Sequence, residues 1–200
     1  AIWLTKHACE VGADAVLVVT PYYNKATQKG LIKMYTAIAD ASTKPVIVYN
    51  VPSRTGVNLG LNLLSRLSEH PNIVAIKEAS DSIDRLVALS EFDDSLTLYA
   101  GNDSQIYPTL ALGGKGVISV ISNLLPRETA DICRLYFEGA QKESLALQHR
   151  LPPLIKAMFI ETNPAPVKYA MHRLGLCENE LRLPLMNVSE ESQEKIDAAL

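Results

Sequence analysis

Long hydrophobic runs are missing from this chain of 200 residues. No stretch approaches the roughly 20 consecutive apolar residues that a membrane-spanning helix needs. The opening AIWLTKHACEVGADA carries acidic residues and reads as an amphipathic helix, not as a secretory leader. Basic runs are missing too, and the formal net charge is −3, so neither nucleic acid nor an anionic membrane surface is an expected partner. Cysteine is scarce. Cys9, Cys133 and Cys177 are isolated and odd in number, which argues against a disulfide framework or a zinc site and for free thiols in a reducing cytosol. His7, His70, His149 and His172 are scattered over helical or linker segments, so they give no metal-ligand pattern. There is no Gly-x-Ser-x-Gly elbow and no Cys/His pairing at a strand end, which removes the common hydrolases. Internal repeats and low-complexity segments are absent as well.

What is present is an alternation. Short β-rich runs recur at DAVLVVT (14–20), PVIVYN (45–50), NIVAIKEA (72–79), LTLYAGN (96–102) and GVISVIS (116–122), and each gap holds a segment of helical period. GLIKMYTAIADA (30–41) places Leu31, Met34, Tyr35, Ile38 and Ala39 on one face. LNLLSRLS (61–68) aligns Leu61, Leu64 and Leu67, with Leu63 beside them. SDSIDRLVALSEF (80–92) opens on an expected N-cap at Ser80 or Asp81 and carries Ile83, Leu86, Val87 and Ser90 along its stripe. Strand, helix, strand, helix predicts a parallel sheet with crossover helices, and the near-continuously apolar strands predict a sheet covered on both faces. After residue 122 the strands stop, and four helical segments follow. A doubly wound sheet and a (β/α)8 barrel both fit five such units.

Parallel α/β folds gather their chemistry at the carboxyl ends of the strands. Those ends read TPYYN (20–24), YNVPSRTG (49–56), KEAS (77–80), AGND (100–103) and ISN (121–123). Alternation places Ile47 and Tyr49 on one face, and Ile73, Ala75 and Lys77 on one face. If that face lines a barrel mouth, Tyr49 and Lys77 end adjacent strands and meet there. A lysine so placed can attack a ketone or aldehyde to form a Schiff base, provided desolvation lowers its pKa from about 10.4 and raises the neutral fraction. A nearby phenol such as Tyr49 can pass the protons, and Arg54 can grip a carboxylate. The plainer reading, a solvated lysine after a core strand and a packing tyrosine, uses the same residues. GGKG (113–116) precedes a strand, whereas phosphate loops follow one, so it reads as a helix stop and tight turn.

TPYYNKATQKGL, YNVPSRTG, IKEAS, AGND and LGGKGVISVISN, in this order, together with TNPAPVKYAMHRLG (162–175), resemble the dihydrodipicolinate synthase family of pyruvate-dependent Schiff-base aldolases. The similarity runs along essentially the whole chain. It implies a (β/α)8 TIM barrel, here its strands four to eight over residues 1–124, followed by the last barrel helix and a C-terminal helical region over 125–200. It implies that Lys77 forms the Schiff base with pyruvate and that Tyr49 passes protons. Tyr23 matches a relay tyrosine that reaches a neighbouring subunit. Arg54 matches the arginine that binds the carboxylate of L-aspartate-4-semialdehyde. Ile118 and Ser119 correspond to backbone that seats pyruvate, and Tyr22 to a residue near a lysine feedback site. The implied enzyme is a cytoplasmic homotetramer in lysine and diaminopimelate biosynthesis, needing neither metal nor organic cofactor, with L-lysine as a possible inhibitor.

The same resemblance leaves the family's first three βα units without a counterpart, including a Gly-Thr-Thr-Gly-Glu stretch whose threonine joins the relay. A chain beginning with Ala1 inside an apparent helix is expected to be clipped from a longer protein, and residues 1–200 alone are expected to be inactive and prone to aggregate. N-acetylneuraminate lyase and the keto-deoxy sugar-acid aldolases share the lysine and the tyrosine. Arg54 in the PSRTG turn favours the synthase. A flavodoxin-like binding module lacks support, because TPYYN offers neither a phosphate loop nor an acidic cluster. A catalytically dead barrel is the remaining alternative.

Overall fold

The structure, a computed structural model, describes residues 1–200 apart from the side chain of Asp93. Contacts divide it into two compact units, one of Ala1–Asn102 with Pro108–Ile118 and one of Asp103–Tyr107 with Ser119–Leu200.

The first unit is built on β1 (Val16–Val19), β2 (Val46–Asn50), β3 (Ile73–Glu78), β4 (Thr97–Ala100) and β5 (Gly116–Val117), all parallel and hydrogen-bonded in chain order. The connecting helices are α1 (Ile2–Glu10), which precedes β1, then α2 (Gln28–Asp40), the short α3 (Pro52–Thr55), α4 (Leu61–Ser68), α5 (Ile83–Ser90) and α6 (Ile106–Ala111), the last counted in this unit only from Pro108 onward. Sequential strands pairing in order is what a run of βαβ crossovers, each to the adjacent position, produces. The core lies between sheet and helices: Val46, Val48, Ile73 and Ile76 from the strands meet Leu31, Tyr35, Leu64, Leu67, Leu86 and Leu89 from α2, α4 and α5.

Several expected details change. The fifth strand is short, ending at Val117 instead of reaching 122. In the second unit the N–H groups of Val120 and Ile121 both donate to Asp103 Oδ2, at 3.1 Å, and Ile121–Asn123 turns into a 3₁₀ helix. A buried carboxylate there takes the donors that a longer ladder would use. The N-cap of α5 is Ser82, whose hydroxyl accepts from Arg85 N at 3.1 Å, because the helix starts only at Ile83; the N–H of Ser80 donates instead to Glu78 at 2.8 Å. The buried edge of α5 is Leu86 and Leu89, while Ile83 and Val87 stay exposed, and on α4 Leu63 buries where Leu61 does not.

The register between β2 and β3 corrects the face assignment. Val46 pairs with Ile73 but Ile47 with Ala75, so Val74 is an extra residue in β3. Ala75 and Lys77 therefore share a face with Ile47 and Tyr49, whereas Ile73 joins Val46 on the helix-covered side, where it is fully buried.

The second unit carries α7 (Pro126–Phe137), α8 (Gln141–Arg150), α9 (Pro152–Met158), α10 (Ala165–Arg173) and α11 (Glu190–Asp197). Five helices stand where four segments were expected, because Pro152 and Pro153 lack N–H groups and force a new helix start at Pro152. Ser144 Oγ donates to Ile132 O at 2.7 Å and joins α8 to α7, while Arg173 pairs with Asp197 at 2.9 Å between α10 and α11. Among the described residues no helix is long and apolar enough to cross a membrane.

Candidate active site

The carboxyl ends of the strands bring two of the singled-out residues together. Tyr49 and Lys77 are register partners at the ends of β2 and β3. Lys77 Nζ sits 4.2 Å from the centroid of the Tyr49 ring, over its face, within the reach of a cation–π contact. Both side chains are partly buried. Burial raises the pKa of Tyr49 above the ordinary phenol value, and the positive charge of Arg54 pulls it part of the way back. Tyr49 is therefore a protonated phenol at neutral pH.

Arg54 stands in the last turn of α3, which begins on Pro52 and closes on Gly56 at φ 67. Only a residue free of Cβ strain closes a helix comfortably at that angle. What reads as a plain turn in the sequence is one helical turn, and it sets Arg54 beside the strand end. A cavity of about 480 Å³ is lined by Leu17, Val19, Tyr22, Tyr49, Arg54 and their neighbours Val51 and Thr55. Tyr22 thus belongs to the same mouth. Tyr23 does not line it: its side chain is 92% exposed and its φ is 74, a left-handed conformation costing on the order of 1 kcal/mol or more for a residue with a Cβ.

Ile118 continues the ladder, its N–H donating to Ala100 O at 2.9 Å. Ser119 falls in the second unit, where its Oγ accepts from Ser122 N, a residue of the 3₁₀ turn, at 2.9 Å. One residue escaped the sequence reading. Tyr99 of β4 pairs in register with Lys77 on the side away from Tyr49, so the lysine stands in a row between two tyrosines. Its signal was available: Tyr99 precedes AGND by one residue, at the same height in the next strand. The geometry offers a partly desolvated amine, a phenol and a guanidinium on one apolar wall, a set suited to carbonyl chemistry. Among the described residues no cluster of His, Cys, Asp and Glu could hold a metal ion.

A parallel α/β sheet presenting a lysine and tyrosines at the carboxyl ends of its strands places the molecule in the class of α/β enzymes that work from the mouth of a barrel. More specifically, the chain belongs to the dihydrodipicolinate synthetase family, whose model matches residues 1–200. A 4-hydroxy-tetrahydrodipicolinate synthase of Caldicellulosiruptor saccharolyticus is 49% identical over 200 residues, covering 100% of this chain and 68% of the relative. The structure of the corresponding synthase of Methylacidiphilum fumariolicum superposes with a TM-score of 0.96 at 43% identity, over 99% of this chain and 67% of that one. The structure of the chloride-inhibited dihydrodipicolinate synthase of Acinetobacter baumannii, complexed with pyruvate, gives a TM-score of 0.95 at 40% identity, over 99% and 68% of the two chains. The structural neighbours are TIM barrels, and this chain spans about two thirds of their length.

Proposed function

We propose that Lys77 condenses with pyruvate and that the protein is a 4-hydroxy-tetrahydrodipicolinate synthase. The observation that carries this reading is the Lys77 amine held 4.2 Å from the Tyr49 ring at paired strand ends, in a chain 49% identical to a synthase of that name. The neutral amine adds to the ketone of pyruvate and water leaves, giving the imine. The imine draws off electrons as the methyl group loses a proton, and the resulting enamine attacks the aldehyde carbon of L-aspartate-4-semialdehyde. The amino group of that second substrate then adds to the imine carbon and expels Lys77, which closes the ring and frees the enzyme.

Tyr49 supplies the proton traffic. Because the amine rests on its ring face, the phenol serves a substrate atom carried by the lysine, and its raised pKa keeps the proton available at neutral pH. Arg54, exposed at the rim and near enough to act on Tyr49, holds the distal carboxylate of the semialdehyde as a two-pronged donor. Ile118 and Ser119 seat pyruvate through their backbone. The exposure and left-handed backbone of Tyr23 support a role at the site of a second copy, in a homotetramer. Tyr22, 71% exposed beside the mouth, is the candidate for a lysine-sensitive position. Three separate free thiols fit the cytoplasm.

Borohydride reduction in the presence of pyruvate, followed by peptide mapping, tests the central step. The full-length natural protein should carry a reduced pyruvate adduct on Lys77, and Lys77→Ala should carry none. An adduct on another lysine, or none in the natural protein, overturns the assignment.

A further inference from the structure

Directly behind the paired Tyr49 and Lys77 lies a second pair that the reaction does not use. Asn50 and Glu78 are the next register partners along β2 and β3, and alternation sends them to the opposite side of the sheet. Both are fully buried. The Glu78 carboxylate accepts four contacts: Ser80 N at 2.8 Å and Asn50 Nδ2 at 2.9 Å on Oε1, then Arg85 Nε at 2.8 Å and the same Asn50 nitrogen at 3.0 Å on Oε2. Arg85 comes from α5, and its side chain is only 11% exposed. Asn50 extends the network, donating to Asn58 Oδ1 at 2.8 Å and accepting from Leu59 N at 3.0 Å.

A buried ion pair is a poor device for stability, because desolvation cancels most of its attraction and apolar residues of similar volume often serve as well. Its directional bonds are better suited to fixing geometry. Here they tie β2, β3, the loop before α4 and the first turn of α5 to one carboxylate. The two residues tied at the strand ends are the immediate neighbours of the two reacting side chains. We propose that the Asn50–Glu78–Arg85 network is a positioning device that holds Lys77 against Tyr49. The proposal rests on the reading that Lys77 forms the Schiff base. Asn50, Glu78 and Arg85 touch no substrate and act only through the backbone they lock.

The test is the rate of borohydride-trappable imine formation with pyruvate, measured on the full-length natural protein well below the Tm of every variant. Glu78→Gln keeps the shape of the side chain but breaks the pairing, and Asn50→Ala removes the bridge between the strands. Each should slow imine formation about 10- to 100-fold, the scale of a misplaced reacting group, with the half-saturating pyruvate concentration unchanged. Leu89→Ala, a buried site on α5 outside the network, serves as the control: it should lower Tm at least as much and trap pyruvate at the natural rate. Asn58→Ala, at an exposed position, preserves the test should the buried variants fail to fold, and should slow trapping several-fold. Trapping in these variants at the rate of the control overturns the positioning role and leaves the Schiff-base reading intact. A natural protein that traps no pyruvate on Lys77 overturns both.

Discussion

Tyr35 illustrates what a single residue contributes. It is fully buried under the sheet, and its hydroxyl donates to Val18 O at 3.3 Å. Burial pushes its pKa far above the ordinary phenol value, and Tyr49 shifts the same way by a smaller route, burial opposed by Arg54. An unfolded chain gives up these protons near pH 10, at about the model-peptide value, while the folded protein retains them. Above that pH the unfolded state therefore binds fewer protons, and stability falls as pH rises; below it these two groups contribute no slope. Thermal melts should show a flat Tm through neutrality and a steep loss above about pH 10. Tyr35→Phe should flatten that alkaline loss while costing about 1 kcal/mol at pH 7 for the missing hydrogen bond. The helical stripe with Tyr35 was readable from spacing alone. That Tyr35 would be wholly desolvated was not, since it depends on the strands laid over it.

At the strand ends the elements meet closely, as Gly101 shows. Its N–H donates to Glu78 O at 2.6 Å, and a Cβ built there would stand 2.7 Å from both Ala79 Cβ and Glu78 O. Backbone cannot give way as a flexible side chain can. Gly101→Ala should destabilise by about 1–3 kcal/mol, seen as a lower urea midpoint at an unchanged m value. It should also slow pyruvate trapping, because β3 and β4 would separate beside Lys77. The same level holds the details that sequence pattern misplaced. The apolar run NIVAIKEA announces a strand, but the extra residue at Val74 is invisible in it, since a bulge arises from how two strands pair. Ser82, not Ser80 or Asp81, is the helix cap because the chain after β3 first ties Ser80 N to Glu78 and turns helical only at Ile83, a start set by the fold of the strand end.

At the scale of the whole molecule, an apolar flank along β1 dominates. Leu17 is 45% exposed and Val19 36%, and with Ala1, Leu4, Thr5, Ala8 and Tyr22 they line a groove of about 590 Å³. Among the described residues β1 pairs only with β2, so one edge of its backbone stands open beside these side chains. An apolar strand edge of this kind promotes association. Residues 1–200 expressed by themselves should self-associate in light scattering at micromolar concentration, and Leu17→Lys should reduce that association. A monodisperse monomer with the natural sequence would contradict the expectation. The relatives are longer by about a third of their own length, consistent with a surface that is covered in them.

The sequence by itself determined the alternation of strands and helices, the parallel sheet, and the arrival of Tyr49, Lys77 and Arg54 at strand ends. These follow from local hydrophobic period and from which residues stand next to a strand's last apolar position. Only the tertiary structure decided that Lys77 lies over the Tyr49 ring, that Tyr99 flanks it, that Ile73 turns to the helix side, and that Glu78 is buried among Asn50, Ser80 and Arg85. The reason is one of range. Period and propensity act over a few residues along the chain, whereas register, desolvation and the pairing of buried charge are set by groups brought together from 28 positions apart, as Asn50 and Glu78 are.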